Sequence, residues 1–390
     1  MNPSFDLKKR FSENIQTYTL LLAMLAVWVL FNVLTNGFYL SPQNFSNLFR
    51  QMTVTSFLAT GMVLVIVTGN IDLSVGKLAG FVSVVVAYLQ ANVWNSIFPG
   101  QPLVAAALSV SVGLIVGALF GVLQGYIISY MRVPAFIVTL GGMFVLRGGI
   151  LIITQGKTIP ANQPGFDQIA QGYLPPSIGW VVAALVVALL FFNMVRSRAR
   201  KAQYGFSVPN IYLDVLGTLF FSALVVIYVA IVNYYNGVQV PVLLLAVTAL
   251  IMTYISSNTR FGRYAYAIGG NREAARLSGI NIKRNVFMVF VLMGFLCGVA
   301  GVVLASYVGY GTTAAGEGYE LDAIAACILG GTSTLGGVGT IFGAMIGGLI
   351  MASLTNGLQM LNVPAAYQYV VKGAVLILAV AIDMYFKKNR

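Results

Sequence analysis

The sequence predicts an all-α integral membrane protein: a polytopic bundle of about twelve transmembrane helices with both termini on the cytoplasmic side. Three observations carry this prediction. Hydrophobic residues make up 58% of the chain and charged residues 8%, too few charges to clothe a water-facing globule. Apolar runs close to the ~20 residues that span a bilayer recur from one end to the other. The basic residues collect in alternate linkers between those runs, the positive-inside pattern. The formal net charge of +12 therefore reports topology, and nucleic acid is not among the expected partners.

The expected spans are Thr19–Asn36, Met52–Thr68, Val75–Val93, Leu103–Tyr130, Ala135–Thr154, Ile178–Val195, Tyr212–Asn233, Val242–Ser256, Asn285–Tyr310, Leu321–Gly331, Thr340–Met360 and Tyr369–Phe386. Leu321–Gly331 is too short alone and needs help from neighbouring turns. With the N-terminus inside, the inner linkers hold Lys8, Lys9, Arg10, Lys77, Arg132, Arg196, Arg198, Arg200, Lys201, the six bases of residues 260–284, Lys387, Lys388 and Arg390. Only Arg50 and Lys157 fall outside, and Arg147 and Lys372 fall within spans. The first span, behind Lys8-Lys9-Arg10, has full spanning length and no clear cleavage site, so it reads as an anchor that stays.

Reactive chemistry is thin. The chain has no histidine, which removes histidine metal sites and histidine bases. Cys297 and Cys327 sit in apolar runs and read as packing. The stretch Gly69 to Leu78 ends in Gly-Lys like a phosphate-binding loop, but its spacing is too long and Leu78 stands where a Ser or Thr is required. No metal site, catalytic residue or cofactor is expected on this chain.

Glycine recurs at every fourth position in Gly113, Gly117, Gly121 and Gly125, and again in Gly339, Gly343 and Gly347. Such faces let helices approach closely, inside one protomer or across a dimer, and the alternative is a smooth pathway wall. Charged groups in or beside spans are Asp72, Arg147, Glu317, Glu320, Asp322 and Lys372, each needing a partner or water. Asp72 reads as a cap of the third span or as a pathway group, and Glu320 and Asp322 as caps of the tenth.

The densest charge lies in residues 260–284, RFGRYAYAIGGNREAARLSGINIKR, six bases and one acid. Asn271 can accept from a backbone N–H two or three residues on, Arg272 to Ser278 favours helix, and Gly279 can take the left-handed conformation that ends one. A short capped amphipathic helix is expected, with Ala274, Ala275 and Leu277 as contact points and Arg272, Glu273 and Arg276 in water.

The string Tyr266–Ile280, YAIGGNREAARLSGI, together with Tyr319–Ala326 leading into Leu329–Ser333, and Thr68–Gly76, resembles the permease subunits of ATP-binding-cassette importers of the ribose, xylose and arabinose type. Glu273-Ala274-Ala275, three residues, then Gly279 looks like the EAA loop of that family. The resemblance implies a coupling helix, formed here by Asn271, Arg272, Glu273, Ala274, Ala275, Arg276 and Gly279, that sits in a groove on a separate ATPase subunit. ATP and Mg would belong to that ATPase. It further implies an extracytoplasmic sugar-binding protein, a second copy of the chain in a homodimer, a multi-pass location in the bacterial inner membrane, and a vitamin-B12-importer-like core of ten helices. Residues 175–236 form an extra helix pair with an Arg-rich cytoplasmic link, as in xylose or multiple-monosaccharide permeases, within one transmembrane domain spanning residues 1–390. Permeases for nucleosides, autoinducer-2 or branched-chain amino acids are the neighbouring alternatives, and an ion-coupled secondary sugar transporter is the alternative of another class.

Sugars are neutral polyols recognised by amides, hydroxyls, carboxylates and aromatic faces. Asn70, Asp72, Ser74, Gln124, Thr332, Ser333 and Asn356 could line a translocation pathway, as could Thr139 and Gln359. Each could equally be a hydrogen bond between helices.

Overall fold

The computed structural model describes residues 15–161, 163–206 and 211–388; Lys8, Lys9, Arg10 and Arg390 lie outside them. Membrane helices in chain order are α1 (Ile15–Leu34), α2 (Pro42–Val67), α3 (Val75–Ile97), α4 (Pro102–Ser129), α5 (Ala135–Thr154), α6 (Pro176–Gln203), α7 (Ile211–Asn233) and α8 (Val240–Asn258). Two short helices follow, α9 (Arg260–Gly270) and α10 (Arg272–Leu277), then α11 (Ile282–Val308), α12 (Tyr319–Leu329), α13 (Ile341–Met360) and α14 (Ala365–Lys388). Proline in the first turn opens α2, α4, α6 and α8, where its missing N–H costs nothing and its fixed φ suits the helix.

Among the described residues nine helices are long and apolar enough to cross a membrane, and α1 and α14 carry shorter apolar stretches, Leu20–Leu34 and Ala365–Leu378. The tenth expected span is a half-helix. Its 11 residues rise about 16 Å, roughly half of a hydrocarbon core. The chain before it cannot be helical, since Gly316 and Gly318 hold φ of 70° and 80°. That irregular backbone presses against α3, with Gly316 on Gly76 and Ala315 on Gly80, and is thereby buried in protein and kept from lipid.

α2 is the axis of the bundle: 89% of its most apolar window is buried, against 11% for α6. α11, α13, α12 and α8 surround it, while α6 and α7 lean on each other and reach the axis through a small cluster of Phe45, Ala183, Val229, Val232 and Val238. The glycines of α4 close a seam inside the protomer. Gly117 and Gly121 meet the backbone of Gly294, and Gly113 faces Val302 and the Gly298 stretch of α11. With no Cβ on either side the two backbones touch, and dispersion replaces the hydrophobic drive that lipid cannot supply. On the second glycine face, Gly343 meets Gly330 and Gly347 meets Ala326, which packs α13 against α12.

Two short antiparallel pairs tie the outer linkers: β1 (Ile159–Pro160) to β4 (Tyr310–Gly311), and β2 (Tyr173–Leu174) to β3 (Val238–Gln239).

Candidate functional site

The charged stretch folds as an elbow at the end of the bundle that carries the most basic linkers. Thr259 caps α9 by accepting from Gly262 N at 3.2 Å, Asn271 caps α10 by accepting from Ala274 N at 2.9 Å, and Asn281 caps α11 by accepting from Arg284 N at 3.0 Å. α10 ends in a Schellman motif: Ile280 N–H bonds the Ala275 carbonyl at 3.1 Å and Gly279 N–H the Arg276 carbonyl at 3.0 Å, with Gly279 at φ 81°. Each turn satisfies its own end groups, so the elbow is set by local sequence.

α10 is held out into solvent. Leu277 is 80% exposed, and Arg276 reaches back to Glu273 at 3.0 Å on the surface. Ala275 departs from the expected contact surface: at 4% exposure it packs inward beneath α10. What α10 offers is therefore Arg272, Glu273, Ala274, Arg276 and Leu277, bordered by Gly279.

α9 is clamped to the bundle. Ala265 and Ile268 are buried, and Gly269 fits against the Val67 carbonyl at the end of α2 and the Gly337 amide. Gly337 N–H itself donates to Val67 O at 2.9 Å. The Tyr266 hydroxyl donates to Gly339 O at 2.8 Å, and burial raises its pKa above the usual phenol value, so it stays a neutral donor. Asn285 of α11 donates to Phe261 O at 3.1 Å. The elbow thus grips the end of α2, the start of α11 and the glycine-rich linker between α12 and α13. The receiving linker was not singled out as a coupling element from sequence, though its glycines at 330, 331, 336, 337 and 339 were the available signal.

The residues proposed for a pathway fall in three places. Asp72, Ser74 and Gln124 come together: Asp72 Oδ1 accepts from Ser74 N at 2.8 Å and Ser74 Oγ at 2.7 Å, and Gln124 Nε2 donates to Ser74 Oγ at 3.0 Å. The Asp72 carboxylate thereby braces the turn entering α3. Asn70 lies close by, on a cavity of about 540 Å³ at the elbow's end of the bundle, shared with Arg132, Arg272, Glu273, Arg276 and Lys283. Thr332 and Ser333 are buried in the α12–α13 linker beside the elbow. Asn356 sits far away, exchanging hydrogen bonds with Asn44 at 2.9 and 3.1 Å and donating to Gln51 at 3.1 Å. Thr139 meets the Ile71 carbonyl.

Glu320 and Asp322 do not cap α12. Its N-cap is Gly318, without a side-chain bond. Asp322 instead pairs with Lys372 of α14 at 2.8 Å, while Glu317 lies 3.9 Å from the buried Lys77 of α3. Lys372 thus ties the half-helix itself and Lys77 the turn just before it, which gives Asp322 and Glu317 the partners that costly charges need, while Glu320 Oε2 is buried without a hydrogen bond. Beside the Asp322–Lys372 pair is a second cavity, about 420 Å³, at the outer ends of α2, α11, α13 and α14. Of its polar lining only Gln359, Glu317, Asp322 and Lys372 drew notice in the sequence. Gln51, Thr355, Gln368 and Tyr369 carry no local motif that would mark them.

Residues 44–380 match the family model described as branched-chain amino acid transport system / permease component. The xylose transport system permease protein XylH of Escherichia coli (strain K12) is 43% identical over 379 residues, covering 97% of this chain and 94% of that protein. XylH of Haemophilus influenzae is 41% identical, covering 97% and 98%. The ribose import permease protein RbsC of Escherichia coli (strain K12) is 35% identical over 363 residues, covering 93% and 92%. No solved structure matches the chain. The family match takes in the elbow, the Asp72 turn and both cavities, and the relatives align over nearly their whole length: the chain belongs to the family of the branched-chain amino acid transport system permease component.

Proposed function

We propose that this chain is the permease subunit of an ATP-driven importer of monosaccharides, xylose or related aldoses, in the bacterial inner membrane. It works as a homodimer, takes sugar from an extracytoplasmic binding protein, and couples through α10 to a separate ATPase subunit that holds ATP and Mg. Support for the sugar comes from the xylose permeases at 41–43% identity. Support for the coupling role comes from one observation: α10 is capped at both ends and exposed, yet the α9 before it is locked to α2 and to the α12–α13 linker. Force applied to α10 has a rigid route to the half-helix.

In this reading ATPase closure displaces α10, α9 carries the displacement to Val67 and Gly339, and the half-helix α12 shifts against Lys372 while Lys77 holds the turn before it. Asn70, Asp72, Ser74 and Gln124 border the inner end of the route, with Thr332 and Ser333 beside the linker that moves. The additional pair α6–α7, within residues 175–236, sits on the outside of the axis and leaves this relay untouched.

The test is reconstitution with the cognate ATPase and binding protein and a panel of labelled aldoses, nucleosides and branched-chain amino acids. ATP-dependent uptake of an aldose is expected. Leu277→Asp should sever coupling, because a carboxylate placed in an apolar contact must be desolvated. Uptake at the normal rate by that variant, or flux by the permease alone along an ion gradient, would overturn the coupling role.

A further inference from the structure

We propose that the outer cavity enclosed by α2, α12, α13 and α14 is a monosaccharide site that each protomer carries within itself. This rests on the aldose reading above and adds a location and a chemistry to it. The cavity measures about 420 Å³, within the range of small-molecule sites, about 300–1,000 Å³, which suits one sugar ring with some of its water.

Hydrogen-bonding capacity left over in the lining decides the ligand class. Gln51 uses its carbonyl to accept from Asn356, which leaves its amide N–H₂ to donate. Gln368 uses its Nε2 on the Val363 carbonyl at 2.9 Å, which leaves its oxygen to accept. The Thr355 hydroxyl gives its proton to Met351 O at 3.0 Å, which leaves lone pairs. Gln359, exposed in the cavity, has both functions open. The wall therefore alternates donors and acceptors, and a sugar hydroxyl, which donates and accepts at once, is the group that uses both.

Charge is already settled. Asp322 and Lys372 neutralise each other at 2.8 Å, and Glu317, the third charge on the wall, has the Lys77 ammonium 3.9 Å away, so the site calls for no net or zwitterionic charge on the ligand. This weighs against an amino acid. Tyr369, 55% exposed and lining the cavity, supplies an aromatic face for the C–H side of a ring. A lipid tail is disfavoured because it would leave three amides and a hydroxyl unsatisfied.

The lining comes from the end of the bundle opposite the elbow, with Tyr307, Gln359 and Gln368 near helix ends there, so the cavity is probed from the outside. Cys297 and Cys327 are fully buried, and Gln359→Cys would be the one thiol open to an impermeant maleimide. In the complex with its ATPase and binding protein in nanodiscs, D-xylose or D-ribose is expected to slow labelling of that variant about threefold or more, and L-leucine to leave it unchanged. Independently, Thr355→Val and Gln368→Leu should each raise the half-saturating aldose concentration about three- to tenfold, the loss of one hydrogen bond, with ATP hydrolysis stimulated by the binding protein retained.

Unchanged labelling at every aldose concentration, or normal half-saturation in both variants, in a complex that does transport aldoses overturns the site and leaves the transport reading standing. Protection by leucine in place of the sugars overturns it as well. A wild-type complex that takes up no aldose overturns the transport reading, and the site falls with it.

Discussion

The Tyr266 hydroxyl and the Gly339 carbonyl, 73 residues apart, meet at 2.8 Å and join the charged elbow to the linker between α12 and α13. A net hydrogen bond of this kind stabilises by about 1 kcal/mol, too little to hold the fold but enough to bias a moving joint. Tyr266→Phe is expected to insert and assemble normally while uptake per ATP hydrolysed falls several-fold. Parallel measurement of hydrolysis and uptake in proteoliposomes checks this, and an unchanged ratio would remove Tyr266 from the relay.

Adjacent glycines offer a paired test. A Cβ on Gly269 would run into the Val67 carbonyl and the Gly337 amide, whereas one on Gly270 meets nothing within 4 Å. Both obstacles are backbone, so neither can swing aside. Gly269→Ala should cost about 1–3 kcal/mol, the range for overpacking a filled interior, and displace α9. Gly270→Ala should be neutral or slightly stabilising. Thermal unfolding of the two purified variants decides the matter; equal melting temperatures would mean that α9 is not clamped.

The seam between α4 and α11 makes a similar claim in the membrane. Gly117→Val would push a branched side chain into the backbone of Gly294 and Gly298, while Gly141→Val on α5 enters open space. The first is expected to lower folded yield and melting temperature sharply, and the second to leave both unchanged, as measured by size-exclusion profiles in detergent.

Breaking the half-buried pair between α12 and α14 should be worse than removing it. Lys372→Met leaves the Asp322 carboxylate, 13% exposed and on the wall of the outer cavity, without its partner at a cost of about 1–3 kcal/mol, below that of a fully buried pair because water can reach it. Lys372→Met with Asp322→Leu should recover much of that loss. Melting temperatures of the single and double variants form the test, and additive losses would mean that the pair contributes little.

What could be read from sequence was what sequence sets locally. Asn271 and Gly279 dictate both ends of α10 through bonds that span three to five residues, and residue type alone forecasts them. The Gly113–Gly125 face announced a close approach, but not that its mate was Gly294 of α11. The apolar run Leu321–Gly331 located α12 to within two residues at each end, but hydropathy does not register the left-handed glycines, Gly316 and Gly318, that keep the preceding turns from extending it. The inward turn of Ala275 depends on the seating of α9. The outer cavity was the least legible part: Gln51, Asp322, Gln359 and Lys372 come from four different helices, and only packing places them on one wall.

Where Gly117 and Gly294 touch backbone to backbone, α4 and α11 have no layer of side chains to act as a bearing. Close-packed interiors transmit displacement rather than absorb it, so these two helices turn together as a single stave. Opening and shutting would then fall around that stave, at the glycine-jointed stretches on either side of α12, with Lys372 tethering the half-helix and Lys77 the turn before it.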